Sequence, residues 1–183
     1  RGSVSLDPMV HHVLALAGAL LFASAALHKL RAPRVFALAL SGHGLLPGRG
    51  VRLVARLLPI AELGIAVLLL VPATAPRGGL LASLLLLLYG AVIAINLVRG
   101  RSDVDCGCGG PGGERPISWG LAARNLALAA LLAALVLPIT ARPLTGLDLV
   151  HVSLAVATAS LLHAAVDVAL ANAARSRLAE GVA

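Results

Sequence analysis

The stretch LLASLLLLLYGAVIAINLV, residues 80–98, decides the fold class because it is a long apolar run without a single charged side chain. About 20 consecutive apolar residues in a helix are enough to cross the hydrocarbon core of a bilayer. Similar runs occur at residues 10–30, 53–71, 119–137 and 147–171. We therefore predict an all-α integral membrane protein, a bundle of about five transmembrane helices with a four-helix core.

The composition agrees with this fold class. Hydrophobic residues make up 59% and charged residues 13% of the 183 residues, whereas soluble domains are about half apolar and about a quarter charged. Residues 33–46 are apolar but too few to span, so we predict a short interfacial helix there. Because nothing divides the chain, residues 1–183 are expected to form a single transmembrane domain.

The net charge of +7 would suggest a nucleic acid partner in a soluble protein. In a membrane protein, basic loops that face anionic lipid explain the same charge. We therefore expect contact with membrane lipid and no nucleic acid partner.

The polar loop at residues 99–118 contains both cysteines of the chain, Cys106 and Cys108, within the sequence SDVDCGCGGPGGER (102–115). A disulfide between them would close a small strained ring, and strain makes a disulfide easier to reduce. The surrounding glycines relax the backbone restrictions that oppose such closure. This pattern favours a redox-active pair with Cys106 and Cys108 as the catalytic residues. Two inert thiols or half of a metal site are the alternatives, and no metal is expected because zinc would need two further ligands.

The basic residues predict which side of the membrane this loop faces. In a protein with five spans, the loops after the first and third spans share a side with the C-terminus, and these segments carry most of the Lys and Arg residues. The positive-inside rule places that side in the cytoplasm of a bacterial inner membrane. The cytoplasm is reducing and disfavours disulfides, so the sequence leaves the side of the loop open.

Ionisable residues within the apolar runs are costly and are usually paired or functional. Lys29 and Glu62 are predicted partners in a structural lock; alternatively, Glu62 or His28 moves protons linked to electron transfer. Arg124, next to Asn125, either reaches the headgroups or stabilises a thiolate in the neighbouring Cys loop.

Three further residues are candidate contacts for a quinone, namely Tyr89, Asn96 and Trp119. Tyr89 and Asn96 are seven residues apart on one helix face, where each would hydrogen-bond either a quinone carbonyl or another helix.

Two histidines share a helix face with a carboxylate, His163 with Asp167 and His151 with Asp148. Such spacing is typical of a histidine held by a carboxylate. A bound metal or haem is the alternative, although no cysteine or methionine accompanies these histidines in the membrane.

Several motifs, in order, resemble MauE-type proteins of the wider MauE/DoxX membrane group. They are ALHKLRAP (26–33), LPIAEL (58–63), RGR (99–101), DCGCG (105–109), ISW (117–119) and RN (124–125). The resemblance covers roughly residues 15–135. It implies a multi-pass membrane protein of redox maturation, linked to methylamine utilisation, that supports disulfide formation in a periplasmic dehydrogenase subunit alongside a thioredoxin-like partner.

The resemblance also implies roles for individual residues. Cys106 and Cys108 would be the redox pair, and the polar core would consist of Lys29, Glu62, Arg124 and Asn125. The architecture would be similar to the helical-bundle disulfide oxidases of the DsbB and VKOR type, which pass electrons to quinone.

We therefore expect a membrane thiol–disulfide oxidoreductase that exchanges disulfides with a thioredoxin-like or secreted thiol protein and passes electrons to quinone, its expected cofactor. A non-enzymatic membrane assembly or maturation factor is one alternative. A metal- or small-molecule-handling membrane protein is the other.

Overall fold

The structure is a computed structural model that describes residues 5–102, 104–105 and 116–179. Within these residues the chain forms six α-helices: α1 (Pro8–Arg31), α2 (Pro33–Gly42), α3 (Gly48–Leu70), α4 (Ala75–Val98), α5 (Trp119–Ala133) and α6 (Gly146–Ala179). A 3₁₀ turn, Ala134–Val136, continues α5. All except α2 are long and apolar enough to cross a membrane, so the prediction of an all-α membrane protein with five spans is confirmed.

The helix boundaries follow from local chemistry. The side chain of Asp7 caps α1 by accepting a hydrogen bond from Met9 N, and Ser118 caps α5 by accepting one from Leu121 N. Such caps satisfy amide groups that have no partner within the helix. Helix α2 ends at Gly42, and Gly44 follows with a positive φ of +63°. The helix is therefore shorter than the predicted segment 33–46.

Three helices extend well beyond the apolar runs that predicted them. Helix α3 begins at Gly48 rather than residue 53, α4 begins at Ala75 rather than residue 80, and α6 continues to Ala179 rather than residue 171. Hydropathy marks only the part of a helix that is apolar. Alanine and arginine are good helix formers, and they make up most of residues 172–179, so α6 continues past its apolar stretch.

Four helices build the core, as predicted. In the part of the chain that the structure describes, the main cluster of buried residues comes from α1, α3, α4 and α5 with its 3₁₀ turn: Ala15, Ala19, Phe22, Ile65, Ala66, Leu69, Ala75, Ala82, Leu86, Ala129, Leu132 and Leu135. Apolar surface does not drive helices together in lipid, and small residues such as these alanines permit close van der Waals contact instead. Helix α6 packs mainly along α1 and touches α5 little.

The spanning helices alternate in direction along the chain, which defines two ends of the bundle. The loop end comprises residues 32–47, the segment after α4 and the C-terminus of α6. The opposite end comprises residues 5–7, 71–74 and 137–145, where Leu6 pairs with Ile139. Arg142 also joins Asp7 and Asp148 there, with Nε 2.8 Å from Asp7 Oδ2 and Nη1 2.9 Å from Asp148 Oδ2.

Candidate functional site

A cavity of about 380 Å³ lies between α1, α3, α4, α5 and α6, in the half of the bundle nearest the loop end. Its polar and ionisable lining consists of Ser24, His28, Lys29, Glu62, Tyr89, Arg124, Asn125, His163 and Asp167. This set includes all five residues that the sequence predicted to support the chemistry, although they come from three different helices. We call it the polar cavity.

Glu62 is the centre of the first hydrogen-bonded group in the polar cavity. Lys29 Nζ and the Tyr89 hydroxyl each donate to Glu62 Oε1 at 2.6 Å. Glu62 is fully buried, and Lys29 is 5% exposed. The Lys29 ammonium also lies 5.4 Å from the centroid of the Phe36 ring and 5.7 Å from that of Tyr89, distances at which an aromatic face attracts a cation. The predicted pairing of Lys29 with Glu62 is confirmed.

Arg124 is the centre of the second group. It forms an ion pair with Asp167 on α6 and donates from Nη2 to Asn125 Oδ1 at 3.0 Å. His163 Nε2 lies 3.6 Å from the other carboxylate oxygen of Asp167, as the spacing of these two residues predicted. Sequence reasoning missed Asp167 as the partner of Arg124. The available signal was that both are ionisable residues in apolar helices.

The predicted pairing of Asp148 with His151 is wrong. Asp148 binds Arg142, whose Nη1 and Nη2 lie 2.9 and 3.1 Å from its carboxylate oxygens. His151 Nδ1 instead lies 2.9 Å from the Leu147 carbonyl oxygen. A guanidinium matches both oxygens of a carboxylate at once, which a histidine one helical turn away cannot do.

The three candidate quinone contacts are not brought together. Tyr89 lines the polar cavity. Asn96, which is fully buried, donates to the Val92 carbonyl at 2.9 Å and lies 3.2 Å from His43 Nδ1. Trp119 is 58% exposed at the start of α5 and lines a different groove. Seven residues along a helix amount to about 10 Å, which carries Asn96 past the cavity. Their contact with a quinone stays a prediction.

Cys106 and Cys108 lie outside the described residues, and the structure shows how the loop that carries them is anchored. Asp105 and Pro116 form an antiparallel bridge, and Ile117 N donates to the Val104 carbonyl at 3.1 Å. Val104 and Ile117 are buried against Ile93 and Leu121. Asp105 and Pro116, which flank segment 106–115, are therefore held side by side at the loop end of the bundle.

His43 is a second buried feature of the loop end. Arg101 donates to the carbonyls of Gly42 and His43 at 2.8 and 3.2 Å. Burial lowers the pKa of His43, the nearby Arg101 charge lowers it further, and Asp105 acts in the opposite direction. The ring is therefore neutral at neutral pH.

Metal ligands do not gather in the part of the chain that the structure describes: no three His, Cys, Asp or Glu side chains there are placed to share an ion. Because the Cys loop lies outside that part, the expected absence of a metal stays a prediction. The charges of the polar cavity are arranged instead as two cation–carboxylate pairs, which suits hydrogen bonding and proton exchange.

Comparison with known proteins gives consistent matches. The sequence profile of the family described as methylamine utilisation protein MauE matches residues 7–138. The methylamine utilization protein MauE of Paracoccus versutus is 42% identical over 159 residues, which cover 86% of this chain and 85% of that protein. Its counterpart in Paracoccus denitrificans is 43% identical over 126 residues, 69% of this chain and 68% of that protein. No solved structure gives a significant match. The resemblance seen in the motifs is thus confirmed, and the chain belongs to the MauE family of multi-pass membrane proteins.

Proposed function

We propose that this protein is a membrane thiol–disulfide oxidoreductase of methylamine utilisation, that it resides in the bacterial inner membrane, and that it acts through Cys106 and Cys108. The pathway is the one named in its relatives. The observation that carries the proposal is the bridge between Asp105 and Pro116, the residues that flank the cysteine-containing segment, at the end of the bundle toward which the polar cavity lies.

The proposed exchange begins with a thiolate of a partner dithiol protein, thioredoxin-like or secreted. It attacks one sulfur of the Cys106–Cys108 disulfide, the S–S bond breaks, and the other cysteine leaves as a thiolate. The second partner thiolate then attacks the mixed disulfide. The partner gains a disulfide, and the Cys pair takes up the two electrons and is left as a dithiol after protonation.

Reoxidation of the dithiol releases two electrons and two protons. A membrane quinone is the acceptor class we propose, since it takes up both. Glu62 supports proton movement at membrane depth, because its Oε1 already shares hydrogen bonds with an ammonium and a phenol. Arg124 is matched by Asp167, so it orders the cavity rather than adding an unpaired charge to it.

The test is to replace Cys106 and Cys108 by Ser, singly and together, and to measure oxidation of a reduced dithiol protein by the purified protein in proteoliposomes that contain quinone. We expect each replacement to lower the rate at least 100-fold, because a single thiol cannot form the internal disulfide. Ser102→Ala, at an exposed residue in the same loop, is the matched control and should leave the rate unchanged. Undiminished oxidation by the double variant would sink the proposal. Normal complementation by the double variant in cells would favour a non-enzymatic maturation factor.

The side of the loop decides which partner class applies. Arginines concentrate at the loop end: Arg31, Arg34, Arg49, Arg52, Arg99, Arg101, Arg175 and Arg177. Labelling of intact cells with a membrane-impermeant maleimide, before and after reduction, reports both the redox state and the side. Labelling without permeabilisation fits a secreted partner. Labelling only after permeabilisation fits a cytoplasmic thioredoxin-like partner.

A further inference from the structure

A second cavity, of about 460 Å³, continues the polar cavity. It runs between α1, α5 and α6 and is lined almost entirely by apolar side chains such as Val13, Leu20 and Leu131. Both cavities share the lining residues Leu21, Ser24, Leu128, His163 and Ala164. We call the second cavity the apolar groove. It extends from the shared residues toward the opposite end of the bundle, along the side where α6 packs on α1 and touches α5 little.

Three buried polar atoms in the polar cavity have no hydrogen-bond partner among the described residues: Glu62 Oε2, Asn125 Nδ2 and Arg124 Nε. Asn125 Oδ1 accepts a hydrogen bond from Arg124, which fixes the orientation of the amide and leaves its NH₂ group as the open donor. Buried polar groups in native proteins are nearly always hydrogen-bonded, and leaving one unpaired costs about 1–3 kcal/mol. The lining residues of the cavity therefore carry one acceptor and two donors that lack a partner.

The charges of the polar cavity restrict what this occupant carries. Lys29 is matched by Glu62, and Arg124 by Asp167. A phosphate or ammonium head would bring a further charge into a buried site in which both of these cations already have a carboxylate partner, at a large desolvation cost. The head that fits is uncharged and carries a carbonyl oxygen, which accepts from Asn125, or a hydroxyl group, which donates to Glu62.

We propose that the two cavities form one binding site for an uncharged amphiphile. Its oxygen-bearing head lies between Glu62 and Asn125, and its hydrocarbon tail lies in the apolar groove. The volume of the polar cavity is within the range of small-molecule sites, about 300–1,000 Å³. Two membrane components share this chemistry, a long-tailed quinone and a neutral glycerolipid. If the occupant is a quinone, it is also the electron acceptor for the Cys pair, a role that rests on the proposed function.

The test measures equilibrium binding to the purified full chain in nanodiscs, using the Cys106→Ser/Cys108→Ser variant so that no thiol chemistry consumes the probe. The probes are a benzoquinone with a ten-carbon tail, benzoquinone without a tail, and a diacylglycerol. We expect saturable binding of a tailed probe above the level of empty nanodiscs, and much weaker binding of the tail-less compound. Binding of the tailed quinone identifies a quinone site, and binding of the diacylglycerol identifies a glycerolipid site.

Two variants then test each part of the site. Asn125→Ala removes the open donor and should weaken binding of the tailed probe about tenfold, the factor that corresponds to about 1.4 kcal/mol. Ala164→Phe should weaken it at least as much, because this exposed residue lies where the two cavities join. Ala165→Phe is the matched control, since Ala165 is also exposed and lines neither cavity.

The proposal is overturned if no tailed probe binds above the level of empty nanodiscs, or if Ala165→Phe weakens binding as much as Ala164→Phe. Thermal unfolding of each variant shows whether a loss of binding is caused by misfolding. If Asn125→Ala misfolds, the result for Ala164→Phe, at an exposed position, decides the outcome. Because both cysteines are absent from the assay, failed binding and failed thiol oxidation are separate results.

Discussion

Two regions of the same helix pair, α4 with α5, differ in how closely their backbones approach. Near the opposite end, a Cβ atom added to Gly79 would lie 2.5 Å from the Leu132 carbonyl oxygen, closer than real Cβ atoms come. Three helical turns nearer the loop end, a Cβ on Gly90 would lie 3.7 Å from the Ala122 carbonyl oxygen, an ordinary contact. The bundle is tightly closed in one half and opens around polar groups in the other.

The difference teaches how each half is held together. In lipid, close contact between small residues supplies attraction through van der Waals packing, and the half near the opposite end relies on it. The half near the loop end instead contains Lys29, Glu62, Arg124 and Asp167, whose side chains need room and hydrogen-bond partners. Ion pairs between helices connect that half while leaving a cavity, so it is the half suited to binding and proton exchange.

The largest effect is expected from breaking the ion pair of the open half. Glu62→Leu leaves the Lys29 ammonium buried without its carboxylate, and losing one partner of a buried pair costs about 3–5 kcal/mol. Thermal unfolding in nanodiscs should show a large loss of stability. The double variant Lys29→Met/Glu62→Leu should recover most of it, because no buried charge remains. If the double variant is as unstable as Glu62→Leu, the pair is not what holds these helices together.

A smaller effect is expected from crowding the closed half. Gly79→Ala forces α4 away from the Leu132 carbonyl, and overpacking of this kind costs about 1–3 kcal/mol. Gly90→Ala has room for the added methyl group and should be neutral or slightly stabilising, since alanine is the better helix former. Thermal unfolding of the two variants compares the halves directly. Equal destabilisation by both would contradict the difference in packing.

The smallest effect is a pH dependence at the loop end. In the folded protein burial lowers the pKa of His43 below 6.5, so the unfolded chain binds a proton first as the pH falls. Stability from the neutral ring is present above about pH 6.5 and is lost below it, by at most about 1.4 kcal/mol per pH unit. Melting temperatures between pH 7.5 and 5.5 should fall more for the wild type than for His43→Gln. Parallel curves would show that His43 does not titrate in this way.

The opposite end responds in a lower pH window. Hydrogen bonds from Arg142 lower the pKa of Asp7 below 3.8. Its contribution is therefore present above that value and is lost only as the pH falls further. Asp7 is exposed, and solvent-exposed pairs of this kind add little to stability. Between pH 7.5 and 5.5 this end should therefore not change, which makes the His43 comparison specific to the loop end.

Much of the polar core was predictable, and its geometry was not. Lys29 and Glu62 were expected to pair because an ionisable residue in a membrane needs a partner, and few candidates exist in so apolar a chain. The same argument did not identify Asp167 as the partner of Arg124. The spacing along α6 suggested that Asp167 would pair with His163, one helical turn away. Asp148 shows the opposite error: a local partner was expected, and Arg142, outside the helix, took its place.

The amino-acid sequence by itself determined the number of spans and the family. Bilayer thickness sets how many apolar residues a helix needs, and that length is visible along a single chain. The sequence also indicated that intramembrane charges must be compensated. Only the tertiary structure decided which charges meet, which half of the bundle closes, and that a polar cavity continues into an apolar groove. Those features depend on distances between residues far apart in sequence, which helix packing alone sets.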